Sequence, residues 1–223
     1  MNSVLLPTTY LPPISWLAVV MQSKRVEIEI HETYPKQTLR NRCYIATSSG
    51  ILSLTVPVIR INGNHTRTFE IGIDNSVKWQ LLHWRSILTA YNNAPYFLYY
   101  RDHFEPIFTK RYENLLTLNR DILNILITNI LKKKITILYT DIYSYKPDCI
   151  DLRSEFRPAR KTDQILKYEM QRYLQVFEAN QGFIPDLCIL DLIFNLGPEA
   201  LQYLADVKIS VTGQLKEAKD IQF

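Results

Sequence analysis

Glycine is scarce in this chain, at 6 of 223 residues. Phosphate-cradling loops are built on closely spaced glycines, and neither a Walker loop nor a GxGxxG occurs, which removes two common nucleotide-binding fingerprints. Cysteine is scarcer still. Cys43, Cys149 and Cys188 are far apart, odd in number and form no CxxC pair. A disulfide framework or zinc site is therefore not expected, and reduced buried thiols fit the pattern. The four histidines are scattered without metal-ligand spacing, so no metal is expected. No GxSxG elbow is present. The N-terminus has no basic segment followed by a long apolar run, so no signal peptide is expected, and no apolar stretch is long enough for a membrane span. A cytoplasmic protein is the resulting expectation. The net charge of +4 admits an anionic ligand but does not indicate nucleic acid, whose binders usually carry a clustered basic face.

Aromatic residues are abundant instead: 14 Tyr, 9 Phe and 3 Trp. With 47% hydrophobic and 22% charged residues, the composition is that of a globular protein. The length allows one large domain or two small ones, and no second core is visible. The expected organisation is a single domain over residues 1–206 with a weakly ordered tail over 207–223.

The fold class expected is α/β: an N-terminal βαβ opening into a mixed sheet with antiparallel strands, then a mainly helical C-terminal half. Ser3 to Leu6 reads as a buried strand, Ile14 to Gln22 as a helix, and Arg25 to Ile30 as a half-buried strand with Glu27 and Glu29 outward. Ligands of parallel sheets gather at the carboxyl ends of the strands, which here are Thr8-Thr9-Tyr10 and His31-Glu32. Arg40 and Arg42 flank Asn41 ahead of a strand from Cys43 to Thr47, and an arginine fork suits two-point binding of carboxylate or phosphate. Ile51 to Val58 is a further strand, and Asn62-Gly63-Asn64 marks a hairpin joining Val58–Ile61 to Thr68–Ile73.

The stretch VKWQLLHWRSILTAYNNAPYFLYY, residues 77–100, anchors the chain. It reads as a helix that turns Val77, Leu81, Trp84, Leu88 and Tyr91 to the core and stops at Asn92-Asn93-Ala94-Pro95. Its opposite face carries Trp79, His83, Ser86, Ile87 and Ala90, so that side is covered too or lines a pocket. Long helices are expected over Lys110–Leu131 and Thr162–Tyr173, a strand over Ile135–Tyr139, and a charged loop over residues 141–161. In DLCILDLIFNLGPEALQYL, Asp186 caps a nearly all-apolar helix in which Asp191 and Asn195 lie one turn apart. A buried Asp191 needs a donor, because an unpaired carboxylate there is costly.

TYLPP, ETYPKQTLRNRC, the strand end TVPV, HWRSILTAYNNAPYF and VFEANQGFIPDLCILDLIFNLGPEA together resemble the WbqC-like proteins, most closely the short forms of Bacteroidetes. The resemblance runs from about Tyr10 to Leu204. Two departures are visible: Pro7-Thr8-Thr9 stands where longer members have Gln before Tyr-Leu-Pro, and the central insert is mostly missing. The resemblance implies a transferase of O-antigen-like surface-polysaccharide synthesis that moves an acyl or aminoacyl group to a sugar. Its recurrent positions match Tyr10, Pro12, Arg40, Asn41, Arg42, His83, Trp84, Asp191, Asn195, Gly197 and Glu199.

The candidate catalytic residues are His83 as general base and Asp191 as its support. The candidate substrate-binding residues are Tyr10, His31, Glu32, Arg40, Asn41, Arg42, Trp84, Asn195 and Glu199. Arg40 and Arg42 would hold the anionic end of an activated donor, such as a nucleotide sugar or acyl-CoA. A small molecule or glycan is the expected partner, with no nucleic acid. The alternative is a non-catalytic module that binds a glycan precursor or a partner protein. All these roles require His83, Arg42 and Asp191 to share one hollow.

Overall fold

The computed structural model describes residues 1, 3–145, 147–157 and 164–212. Strand β1 (Ser3–Pro7), helix α1 (Ile14–Met21) and strand β2 (Arg25–Glu29) form the βαβ opening that the residues predict. A hairpin of β3 (Arg42–Thr47) and β4 (Gly50–Thr55) follows, and then the short antiparallel pair β5 (Val58–Ile59) and β6 (Gly72–Ile73). Three helices come next: α2 (Trp79–Tyr91), α3 (Phe97–Thr109) and α4 (Leu115–Asn124). Strands β7 (Ile137–Tyr139), β8 (Ile150–Asp151) and β9 (Leu166–Glu169) lead into α5 (Glu178–Gln181), α6 (Ile189–Leu196), α7 (Ala200–Asp206) and β10 (Lys208–Val211). The central sheet is parallel in the order β7-β2-β1-β8. The chain leaves β1 for β2 on one side, while β8 adds on the other. The carboxyl edge therefore divides around β1, the kind of crevice where open α/β sheets hold ligands.

Helix α1 is buried from Ile14 through Val20: α6 and α7 pack on it, and its Trp16 indole donates to the Pro7 carbonyl at the end of β1 at 3.1 Å. Its first turn is capped in trans. The Asp186 carboxylate accepts from the Ser15 amide at 2.8 Å and the Ser15 hydroxyl at 2.9 Å, which places an anion at the positive end of a helix. Asp186 thus caps the N-terminal helix rather than its own neighbour α6, whose N-cap is Cys188.

Several local expectations give way to tertiary packing. The core-facing side of α2 is the one with Trp79, His83, Ile87 and Ala90, together with Trp84 and Tyr91, whereas Val77 and Leu81 are exposed. Strand β3 packs on this helix and the buried Tyr10 reaches His83. A satisfied imidazole is inexpensive to bury. Glu29, expected outward, is fully buried. The Lys110–Leu131 helix begins only after Asn114, whose side chain accepts from the Thr117 amide, and its last turn widens into a π-helix over Ile125–Ile130. In the Thr162–Tyr173 stretch, the first two residues lie outside the described ones. Leu166–Glu169 is a strand there, since antiparallel pairing with β10 outweighs local helix preference. That partner occupies the start of the expected tail, and residues 213–223 lie outside the described ones. No helix among the described residues is long and apolar enough to cross a membrane.

Gly197 closes α6 with φ 56° and ψ −122°. A Cβ there would stand 2.5 Å from the Tyr96 ring, and Tyr96 is itself held by its amide bond to the Phe194 carbonyl at 2.9 Å. Gly197→Ala is expected to lower unfolding free energy by about 2–4 kcal/mol through backbone strain and overpacking, as read from urea denaturation.

Candidate functional site

The carboxyl edge of the parallel sheet opens into a cavity of about 1120 Å³. Glu29 at the end of β2 is its foundation. Glu29 Oε1 accepts from the His31 amide at 2.7 Å and the Thr140 hydroxyl at 3.0 Å, and Oε2 accepts from Arg153 Nη1 at 3.2 Å. Arg153 also grips Asp151 with two donors, at 2.9 and 2.6 Å. One buried carboxylate thus ties the ends of β2, β7 and β8 together. Asp151 and Glu29 hold the Arg153 guanidinium firmly in its charged form.

Among the described residues six cations line the cavity, Lys36, Arg40, Arg42, Arg67, Arg153 and Arg157, against the carboxylates of Glu32 and Asp151. Arg40 is almost wholly buried; its Nε donates to Glu32 Oε1 at 2.8 Å and its Nη2 donates to the same oxygen. The Arg40 carbonyl accepts from Asn119 Nδ2 at 2.8 Å, which pins this loop to α4. Among the described residues Lys36, Arg42, Arg67 and Arg157 form no ion pair. Among the described residues the Arg42 side chain makes one hydrogen bond, from Nε to the Thr55 hydroxyl at 3.0 Å. Such uncommitted guanidinium groups are suited to an incoming anion. Burial pushes the Glu32 carboxyl above its usual range despite the opposing pull of Arg40. His31 borders the same space with its ring on Phe69, 5.0 Å between centroids.

Four of the residues singled out in the sequence, His31, Glu32, Arg40 and Arg42, therefore meet at this cavity. The others stand elsewhere. Tyr10 is fully buried and its hydroxyl lies 2.9 Å from His83 Nδ1. Asn41 donates to the Val56 carbonyl at 2.8 Å, Trp84 stacks on Phe108 at 5.2 Å, and Glu199 is exposed at the head of α7. Asp191 accepts from Tyr173 at 2.6 Å and Gln175 at 2.8 Å, with Tyr91 facing the same carboxylate. Asn195 donates back to the Asp191 carbonyl at 2.8 Å.

His83 and Asp191 do not form a dyad. Tyr91, which faces Asp191, lies eight residues along α2 from His83, about 12 Å at the helical rise. His83 is packed between Tyr10 and Trp79, with Thr55 backbone as its other partner, and it does not line the cavity. A general base needs hydrogen-bond reach to its substrate, and this imidazole is spent inside the core. Arg153, Arg157, Lys36, Arg67 and Asp151 were not found by sequence reasoning. The one local signal was Asp-Leu-Arg at 151–153, whose alternation puts acid and base on one side of an extended chain.

Residues 8–148 match the model of the WbqC-like protein family, so the match takes in Lys36, Arg40, Arg42 and Arg67 but stops short of Arg153 and Arg157. The chain is also similar to Uncharacterized protein Rv1507c of Mycobacterium tuberculosis, 29% identical over 199 residues, covering 77% of this chain and 83% of that one. No solved structure matches.

Two stability measurements follow from these contacts. Arg153→Ala leaves Glu29 buried without its cation and is expected to cost about 3–5 kcal/mol in urea denaturation at pH 7, part of which Glu29→Gln in the same chain recovers. Burial holds the His83 pKa down to about 4, from 6.5. The unfolded chain therefore takes up this proton first as pH falls, and stability is full above about pH 6.5 and declines towards pH 4. Folding free energies of His83→Gln measured across this window should show a decline shallower by up to about 1.4 kcal/mol per pH unit.

Proposed function

From the fact that the chain belongs to the WbqC-like protein family, we propose that it is a transferase of surface-polysaccharide biosynthesis which moves an acyl or aminoacyl group from an activated anionic donor to a sugar. The observation that carries this reading is the cationic cavity at the carboxyl edge of the sheet. It supplies more guanidinium groups than its own carboxylates neutralise, as a phosphate-bearing donor requires. Glu32 takes the part first given to His83. Arg40 engages only Oε1 of this residue, and the second oxygen carries no hydrogen bond among the described residues. A carboxyl whose pKa is pushed up by burial is a better proton acceptor than an ordinary surface carboxylate, which suits general acid–base work.

In the transfer, a sugar hydroxyl or amine forms a bond to the acyl carbon. The bond from that carbon to the donor's oxygen or sulfur breaks, and the leaving atom departs with the electron pair. The proton shed by the acceptor passes to Glu32 and from there to the leaving group. Arg42 faces the charge that collects on the departing side. A non-catalytic binding module is the second reading, favoured by the commitment of the His83 imidazole to the core.

Isothermal titration with nucleotide sugars, acyl-CoA and S-adenosylmethionine tests the reading. A phosphate-bearing donor is expected to bind, and Arg42→Ala to weaken it roughly 10- to 100-fold, the equivalent of one charge-assisted hydrogen bond. Glu32→Gln is expected to keep donor affinity while product formation is lost. Unchanged affinity in Arg42→Ala would remove the cavity from the argument, and unchanged turnover in Glu32→Gln would remove the base.

A further inference from the structure

A second pocket, of about 360 Å³, lies against the cationic cavity and is different in character. Leu11, Leu39, Ile51, Ile184, Leu187 and Cys188 give it a largely apolar lining. Its carboxylate, Asp186, is already engaged by the Ser15 amide and hydroxyl and by the Tyr168 hydroxyl. Arg42 and Arg157 line both spaces, so these two residues stand where a charged chamber meets a largely apolar one. An anionic group gains little from the apolar side, and an apolar group gains little from the charged side. A ligand using both must be amphipathic, with its charge ending near Arg42 and Arg157.

We infer that the donor is an acyl thioester or acyl phosphate whose phosphate-bearing carrier occupies the cationic cavity and whose short apolar acyl limb enters the pocket beyond Arg42 and Arg157. This rests on the transferase reading and narrows it: a nucleotide sugar, polar at both ends, has no use for the second pocket. The scissile carbonyl then falls where the two spaces meet, beside two guanidinium groups. There the oxygen that gains charge when the acceptor adds to the acyl carbon meets fixed positive charge.

The test is calorimetric titration of the full chain with coenzyme A, acetyl-, butyryl-, hexanoyl- and octanoyl-coenzyme A. Coenzyme A is expected to bind through its phosphates, and each added methylene to tighten binding by roughly two- to fourfold until the pocket is full. Ile184→Trp, which fills the pocket, is expected to abolish the gain with chain length and leave coenzyme A affinity within about twofold. Ile51→Trp, at an exposed rim position, makes the same test without a buried change. Affinity that is flat with chain length while coenzyme A still binds overturns the acyl-pocket inference and leaves the cationic site standing. Failure of every phosphate-bearing probe overturns both. Tighter binding of a nucleotide sugar than of any acyl derivative, unaffected by Ile184→Trp, overturns the inference alone.

Discussion

A carboxylate taken fully out of water is the constraint on which the rest of this structure depends. Glu29 sits at the end of a strand in the middle of a parallel sheet, where desolvation of the charge is costly unless it is matched. The match comes from a distance: Arg153 arrives 124 residues later in sequence, two residues beyond the short strand β8. A two-residue strand contributes little by itself. The ion pair gives the segment from β7 to β8 a reason to return across β1, and with it come the cations of the cavity's far wall. The near wall is fixed by the same means, through Arg40 on Glu32 and Asn119 on both the Arg40 carbonyl and Thr8. The site is thus assembled at the cost of burying charge, and each buried charge carries its counter-ion into the wall.

The C-terminal segment is bound to the N-terminal one by a similar exchange. Asp186 holds the head of α1, and the Cys188 amide donates to the Tyr44 carbonyl at 2.9 Å while the Ile189 amide donates to the Pro12 carbonyl at 2.8 Å. The loop after β1 is therefore closed by residues nearly 180 positions away. Gln175 completes the joint from the other side, receiving from the Ile184 amide and donating to the Ile184 carbonyl, Tyr173 and Asp191. These contacts give the phrases TYLPP and PDLCILDL a common purpose, as the two faces of one seam beside the second pocket.

The parts of the fold legible in the sequence are those set by local periodicity. The βαβ opening and the β3–β4 hairpin follow from alternation and turn chemistry, whereas of the hairpin expected at Asn62-Gly63-Asn64 only the pairing of Val58–Ile59 with Gly72–Ile73 forms, and Gly63–His65 and Thr68–Glu70 are 3-10 helices. What escaped depends on partners distant in sequence. Glu29 alternates like a solvent-facing residue, and only Arg153 explains its burial. Residues 166–169 are a strand because β10 exists, and α2 turns its mixed face inward because Tyr10 and Thr55 satisfy His83. The site was half legible for the same reason. His31 and Glu32 follow the end of β2, where the parallel sheet itself predicts ligands, and Arg40 and Arg42 stand out as a guanidinium pair about Asn41, whereas Arg67 and Arg157 reach the cavity from a short turn and an irregular loop.

The buried polar groups sort by whether their bonding capacity is already used. His83 and Asp191 attract attention in the sequence as an imidazole and a carboxylate among apolar neighbours, but His83 is engaged by a phenol and backbone and Asp191 Oδ2 by a phenol and an amide. Gln175 is spent in the same manner. Asp191 Oδ1 and the Tyr91 hydroxyl, which carry no hydrogen bond among the described residues, are sealed in the core away from the cavity. Glu32, Arg42 and Arg157 differ in keeping, among the described residues, an oxygen or a guanidinium edge free beside open volume. Burial raises the energetic stake of a polar group whichever way it points. An internally satisfied group turns that stake into rigidity and a unique core, and a partly satisfied one that borders a cavity holds it in reserve for a ligand. By that criterion Glu32, Arg42 and Arg157, rather than His83 and Asp191, are the groups placed to meet a ligand. The histidine helix that dominates the sequence packs on α3 and β3 and belongs to the core.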